Sequence, residues 1–234
     1  MSFKKCFAQN KGNNKYLVHL WSDEGYQRVE WINQVFKECH EADSTHTGLN
    51  GEPLRKTPKW NREDPKLHFH DMPPYQKFLV EKYGTNDDPS VTHKELFFDI
   101  EIEMGDALTE EYIKSAPKTV TSIAWYDKQV DEWAILILDA KNNLTYSKTD
   151  NKEIIPCRTE VELLGKFIEK FREIDPDIIV GWNSDYFDVP YLYYRISNVL
   201  GEEFARYLSP ISYCRETPWY KDQYVQIAGV ESLD

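Results

Sequence analysis

The stretch Glu95-Leu96-Phe97-Phe98-Asp99-Ile100-Glu101-Ile102 leaves few folds open. From Phe98 onward, apolar and acidic residues alternate strictly, the period of a β-strand with one buried face. Phe98, Ile100 and Ile102 then enter a core, while Asp99 and Glu101 share the other face about 7 Å apart. Carboxylates fixed beside a core are costly unless something cationic offsets them. A divalent metal is the natural candidate, because Mg2+ (or Mn2+) takes oxygen ligands and keeps several waters. Two such ions about 4 Å apart position an attacking hydroxide and stabilise a leaving 3′ oxygen. The competing reading is the solvent face of an edge strand. Glu103 continues this face at the strand end, where water solvates it.

The sequence after this strand predicts an α/β domain with a mixed sheet. Thr119–Tyr126 and Trp133–Asp139 read as strands joined by the turn Asp127-Lys128-Gln129. Thr159 and Glu162 have the spacing of a capping box. The helix they open carries Leu164, Phe167, Ile168 and Phe171 on one face and ends before Asp175-Pro176. Asp177–Trp182 reads as a short buried strand, and Pro190 suits the first turn of a helix that stops at Gly201. Strand, strand, strand, helix, strand, helix is an α/β order. In the tail, Ile211–Arg215 and Gln223–Ile227 read as a hairpin around Trp219.

The part before the strand is less regular. It offers a strand over Tyr16–Trp21, a strand or short helix over Val29–Cys39, a turn-rich run over Asp43–Pro74, and a helix over Pro74–Tyr83 stopped by Gly84. A linker over Thr85–Ser90 divides a small α+β N-terminal domain, 1–94, from a second domain, 95–234. Charge divides there too. Of the net charge of −12, residues 1–94 contribute +1 and residues 95–234 contribute −13. An acidic domain acts on nucleic acid only if metals or a basic neighbour supply the attraction. Four scattered cysteines without a CxxC predict reduced thiols, and no run approaches a transmembrane length, so a cytoplasmic protein without membrane contact is expected. His68-Phe69-His70, His40 and His46 lack a Cys or carboxylate cluster at zinc spacing. Trp125, Trp133, Tyr193 and Tyr194 suit packing.

A second acidic position follows the predicted strand Asp177–Trp182. Ligands bind at strand C-termini in α/β sheets, and the loop there is Asn183-Ser184-Asp185-Tyr186-Phe187-Asp188. Asp188 can cap the next helix or hold a metal. Asn183 can donate to a phosphate or sugar, and Phe187 or Tyr186 can pack beneath a terminal base.

These residues carry a resemblance. Asp99-Ile100-Glu101 resembles the first exonuclease motif of family B DNA polymerases, and Gly181-Trp182-Asn183 with Phe187-Asp188-Val189-Pro190-Tyr191 resembles the second. The element order is similar to the RNase H-like proofreading exonuclease of that family. Leu54–Trp60, Pro89–His93, Leu208–Ile211 and Ile227–Val230 resemble stretches of the polymerases of T-even-type phages, so the likeness covers essentially the whole chain. It implies an N-terminal domain followed by a 3′–5′ exonuclease domain that removes mispaired 3′-terminal nucleotides with two Mg2+ (or Mn2+) ions. It implies single-stranded DNA 3′ ends or primer–template as substrate, with the rest of a polymerase and a sliding clamp as partners. Asp99 resembles the carboxylate shared by both metals, Glu101 the ligand of the water-activating metal, and Asp188 the partner on the second. Asn183 and Phe187 resemble residues that hold the strand end, and the hairpin near Trp219 resembles one that separates the primer terminus.

The resemblance also has gaps. The family's third exonuclease motif, a Tyr and an Asp on a later helix, is not in residues 1–234, nor are the polymerase palm motifs. Weak or absent exonuclease activity is therefore expected of the isolated chain. Two rivals stand beside this reading. A stand-alone nuclease would recruit Asp222, Glu231 or Asp234 as its last carboxylate. A non-catalytic nucleic-acid-binding piece of a split polymerase would use the basic run Arg55–Arg62, whose plainer reading is a solvated loop.

Overall fold

The computed structural model describes residues 2–48, 50–57, 63–69, 71–84, 92–103, 109–217 and 225–234. It divides into two compact units, 1–91 and 92–234.

The first unit is more regular than its sequence suggests. Strands β1 (Phe3–Asn10), β2 (Lys15–Ser22) and β3 (Gly25–Ile32) form an antiparallel meander. Val18 and Leu20 of β2 are fully buried and meet Phe78 of helix α1 (Pro74–Tyr83). Lys77 of that helix is buried too, and its ammonium donates to Asn33 Oδ1 at 2.7 Å and to the Gln34 carbonyl at 2.6 Å. The segment Val29–Cys39, open to a strand or a short helix from its sequence, is strand in two pieces, because the chain leaves β3 at Ile32 and re-enters as β4 (Val35–Glu38). β4 lies in a second antiparallel sheet with β5 (His46–Thr47), β6 (Pro53–Thr57) and β7 (Leu67–His68), in the order β5-β6-β4-β7.

The second unit is a seven-stranded mixed sheet beneath helices. The alternating segment is strand β8 (Glu95–Ile102), with Leu96, Phe98 and Ile100 buried and Asp99 and Glu101 exposed. Short helix α2 (Glu110–Ser115) precedes β9 (Val120–Asp127) and β10 (Glu132–Leu138), which continue an antiparallel meander from β8. β11 (Ser147–Lys148) and β12 (Lys152–Cys157) extend that edge, with β12 parallel to β10. Sequence reading missed β12 because Pro156 argues against a central strand. β11 pairs only with Glu153 and Ile154, so Pro156 lies beyond the reach of that neighbour.

Helix α3 (Glu160–Ile174) then crosses the sheet, burying Leu163, Leu164, Phe167, Ile168 and Phe171. Thr159 Oγ1 accepts the Glu162 N–H at 3.2 Å, but Glu162 reaches back to the Arg158 N–H at 2.7 Å, one residue earlier than a capping box requires. Strand β13 (Ile178–Val180) runs parallel to β8, and helix α4 (Asp188–Val199) follows it. Short helix α5 (Glu202–Ala205) precedes the hairpin of β14 (Cys214–Glu216) and β15 (Val225–Ile227). Its tip, with Trp219 and Asp222, lies outside the described residues. The last strand, β16 (Glu231–Leu233), joins the sheet beside β13, giving the order β11-β12-β10-β9-β8-β13-β16. Trp125, Tyr191 and Tyr193 are core residues with the α3 and α4 side chains. Trp133 is half-exposed and stacks on Tyr126 at 4.5 Å. Among the described residues no helix is long and apolar enough to cross a membrane.

Candidate active site

Strand order places the site. β8 is flanked by β9 and β13, and the register sets Val180 beside Phe97. The chain therefore leaves β13 next to Asp99. Gly181 makes that exit. A Cβ there would stand 2.9 Å from the Phe98 carbonyl oxygen and 2.9 Å from Ser184 Cβ, closer than real side chains come. Asn183 then adopts the left-handed conformation (φ 58°), which Asn tolerates. Its carbonyl accepts the Tyr186 and Phe187 N–H groups at 3.2 and 2.9 Å, so the loop closes into a turn directly before α4.

That turn delivers Asp188 as the first residue of α4, although it is only 2% exposed. Its Oδ1 accepts the Ile100 N–H at 3.0 Å, which ties the helix start to β8 between Asp99 and Glu101. Burial pushes the Asp188 carboxyl up to about 6. The Ile100 hydrogen bond opposes this, while the nearby charges of Asp99 and Asp234 add to it. A carboxylate in that state favours a positive charge brought next to it.

Asp99, Ile100, Trp182, Asn183, Phe187, Asp188 and Asp234 line one cavity of about 520 Å³. Four of the five residues to which the resemblance gives a site role, Asp99, Asn183, Phe187 and Asp188, thus share it. Glu101 does not line it. The β8–β9 register slips after Glu101, which faces Ser122 while Ile102 faces Val120. Alternation is intact up to that point, so Glu101 and Asp99 share the exposed face of β8. Phe187 also packs on Tyr191 at 5.4 Å, so it joins cavity and core. Trp182 is 93% exposed at the mouth, a position its place in a predicted buried strand did not suggest.

Asp234 reaches the cavity through β16, a strand too short to show alternation in the sequence. Of the rival's other carboxylates, Glu231 pairs with Ile178 at the far end of β13, and Asp222 lies outside the described residues. In the basic run, Arg55 and Lys56 are exposed on β6, and residues 58–62 lie outside the described residues. His68 faces Glu38 at 3.1 Å. His70 also lies outside the described residues.

The matches to known proteins agree with this geometry. The model of the DNA polymerase family B exonuclease domain matches residues 70–212, more than half of the chain. The chain belongs to the family B DNA polymerase exonuclease family. It is 31% identical to the DNA-directed DNA polymerase of Enterobacteria phage T4 over 95% of its own length and 29% of the relative's. It is 26% identical to that of Escherichia phage RB69 over 90% of its length and 27% of the relative's. A shorter match, 44% identical over 52 residues, is to the DNA polymerase delta catalytic subunit of Glycine max. The chain therefore spans less than a third of the phage polymerases it matches.

Enzymes of this exonuclease family are generally metal-dependent. The donor chemistry of the cavity fits a hard cation, since its ionisable groups are carboxylates, without His or Cys. Among the described residues, however, no three His, Cys, Asp or Glu side chains converge closely enough to hold an ion. Asp99 and Asp188 are arranged as a pair, with Glu101 outside the cavity.

Proposed function

We propose that residues 92–234 are the 3′–5′ exonuclease unit of a replicative DNA polymerase, RNase H-like in fold, acting on single-stranded DNA 3′ ends. The observation that carries this reading is the Asp188–Ile100 hydrogen bond, which brings the carboxylate that opens α4 onto the strand carrying Asp99. The antiparallel β8-β9-β10 meander, followed by parallel β13 and β16, supports the fold assignment.

In this reading Asp99 and Asp188 would hold Mg2+ (or Mn2+), and Glu101, on the same face of β8 but outside the cavity, is the third proposed ligand. When bound at these carboxylates, such ions would supply charge stabilisation for water attack and for the leaving 3′ oxygen. The chain's own residues orient the nucleotide. Trp182 and Phe187 offer ring faces to terminal bases, which stack on aromatics without sequence preference. Asn183 has an amide to donate to the sugar or phosphate. The buried Asp188 anchors to the Ile100 N–H, which fixes its free oxygen relative to Asp99. Residues 1–91 and the rest of a polymerase are the proposed partners that deliver the DNA, because 95–234 is strongly acidic.

The test is digestion of 5′-labelled single-stranded DNA with the chain in excess and Mg2+ present. At most weak shortening from the 3′ end, lost in both Asp99→Asn and Asp188→Asn, is expected. Shortening that survives both substitutions, or that begins at the 5′ end, contradicts the assignment.

A further inference from the structure

Asp234 belongs to neither sequence motif, yet it lines the same cavity as Asp99 and Asp188. β16 runs parallel to β13 with Leu233 beside Val180, and the Gly181 N–H donates to the Leu233 carbonyl at 3.3 Å. This register carries Asp234 past the end of β13 to the Asn183–Phe187 turn. There its Oδ1 accepts the Ser184 N–H at 3.2 Å. Ser184 is completely buried, and its hydroxyl has no hydrogen-bond partner. It is held through its backbone. Its N–H goes to Asp234, and its carbonyl accepts the Val189 N–H at 3.0 Å, one residue beyond Asp188. Asp188 in turn accepts from Ile100.

We infer that Asp234 is a positioning residue of the exonuclease site, holding the 183–187 turn through the Ser184 N–H so that Asp188 meets β8 in register. The inference rests on the exonuclease reading for its consequence, the affinity of the site for metal. It rests on the hydrogen-bond chain alone for its structural content. A hydrogen bond from a backbone N–H to a carboxylate is charge-assisted, and a neutral amide oxygen in the same place accepts the same N–H more weakly but with the same geometry. Outer partners that orient metal ligands typically govern affinity by about 10–100-fold.

Two variants of the whole chain separate positioning from charge. Asp234→Ala removes the acceptor and the charge, whereas Asp234→Asn keeps an oxygen that can accept from Ser184. Mn2+ binding, followed by electron paramagnetic resonance, should weaken about tenfold or more in Asp234→Ala and recover most of that loss in Asp234→Asn. Amide hydrogen exchange, measured without metal, should speed up at Ser184 and Val189 in Asp234→Ala and stay near the native rate in Asp234→Asn. Native exchange in Asp234→Ala, or equal effects of Ala and Asn, would overturn the inference. If native chain and Asp99→Asn bind Mn2+ alike, the metal reading of the site fails, and the exchange rates still decide the role of Asp234.

Discussion

Two buried carboxylates in the second unit respond to pH with opposite signs. Asp188 has its folded pKa raised, chiefly by burial, to about 6. Its contribution to stability is therefore full below the unfolded value near 4 and is lost as pH rises through about 6, a change of about 2–3 kcal/mol. Asp139 behaves in the reverse way. The Asn143 and Leu144 N–H groups and the Arg158 guanidinium hold its carboxyl below the ordinary range. Its contribution is present at neutral pH and is lost in acid. Urea titrations from about pH 2 to 8 should show Asp188→Asn removing the fall in stability between about pH 4 and 6, and Asp139→Asn removing part of the fall below about pH 4. A native-like profile in Asp188→Asn would show that its carboxylate is not strained by burial. The sequence made Asp188 a candidate through its place before a helix, but not its burial, which depends on a hydrogen bond to a residue 88 positions away.

At the level of elements, the exit from β13 and the start of α3 each depend on one residue. Gly181→Ala forces a Cβ against the Phe98 carbonyl and Ser184, and overpacking of this kind typically costs about 1–3 kcal/mol. Chemical denaturation should register that loss, and the Asn183–Asp188 turn should exchange its amides faster. No loss of stability would mean that β8 and β13 yield easily here. Thr159→Ala removes the α3 N-cap and should cost about 1 kcal/mol without affecting metal binding.

Elements with local signals were legible. The alternation of β8 and the 3.6-residue stripe of α3 mark burial within one segment, and the structure has both where the pattern puts them. β1, β12 and β16 were not read. β12 hides behind Pro156, and β16 is three residues long and owes its strand state to β13. The cavity was legible in part for the same reason. Asp99, Asn183, Phe187 and Asp188 lie in two compact segments, whereas Asp234 arrives by a sheet pairing that no local pattern announces, and Glu101 shares the exposed face of Asp99 without lining the cavity.

For the whole molecule, charge limits how the proposed DNA substrate can be held. The acidic excess of 95–234 opposes a phosphate backbone, so without divalent ions single-stranded DNA should bind weakly, with little dependence on salt. Fluorescence anisotropy should show affinity rising when Mg2+ is added. Tight, steeply salt-dependent binding without Mg2+ would instead point to a basic surface as the main contact.

The central claim is that Asp188 and Asp99 are held together, at a cost in stability, to receive a cation. Thermal melts of the native chain and Asp188→Asn at about pH 8, each with and without saturating Mg2+, address it most directly. Without Mg2+ the variant should melt higher than the native chain. With Mg2+ the native chain should rise and the variant should stay where it was. Equal Mg2+ shifts in both proteins, or none in either, would contradict the claim.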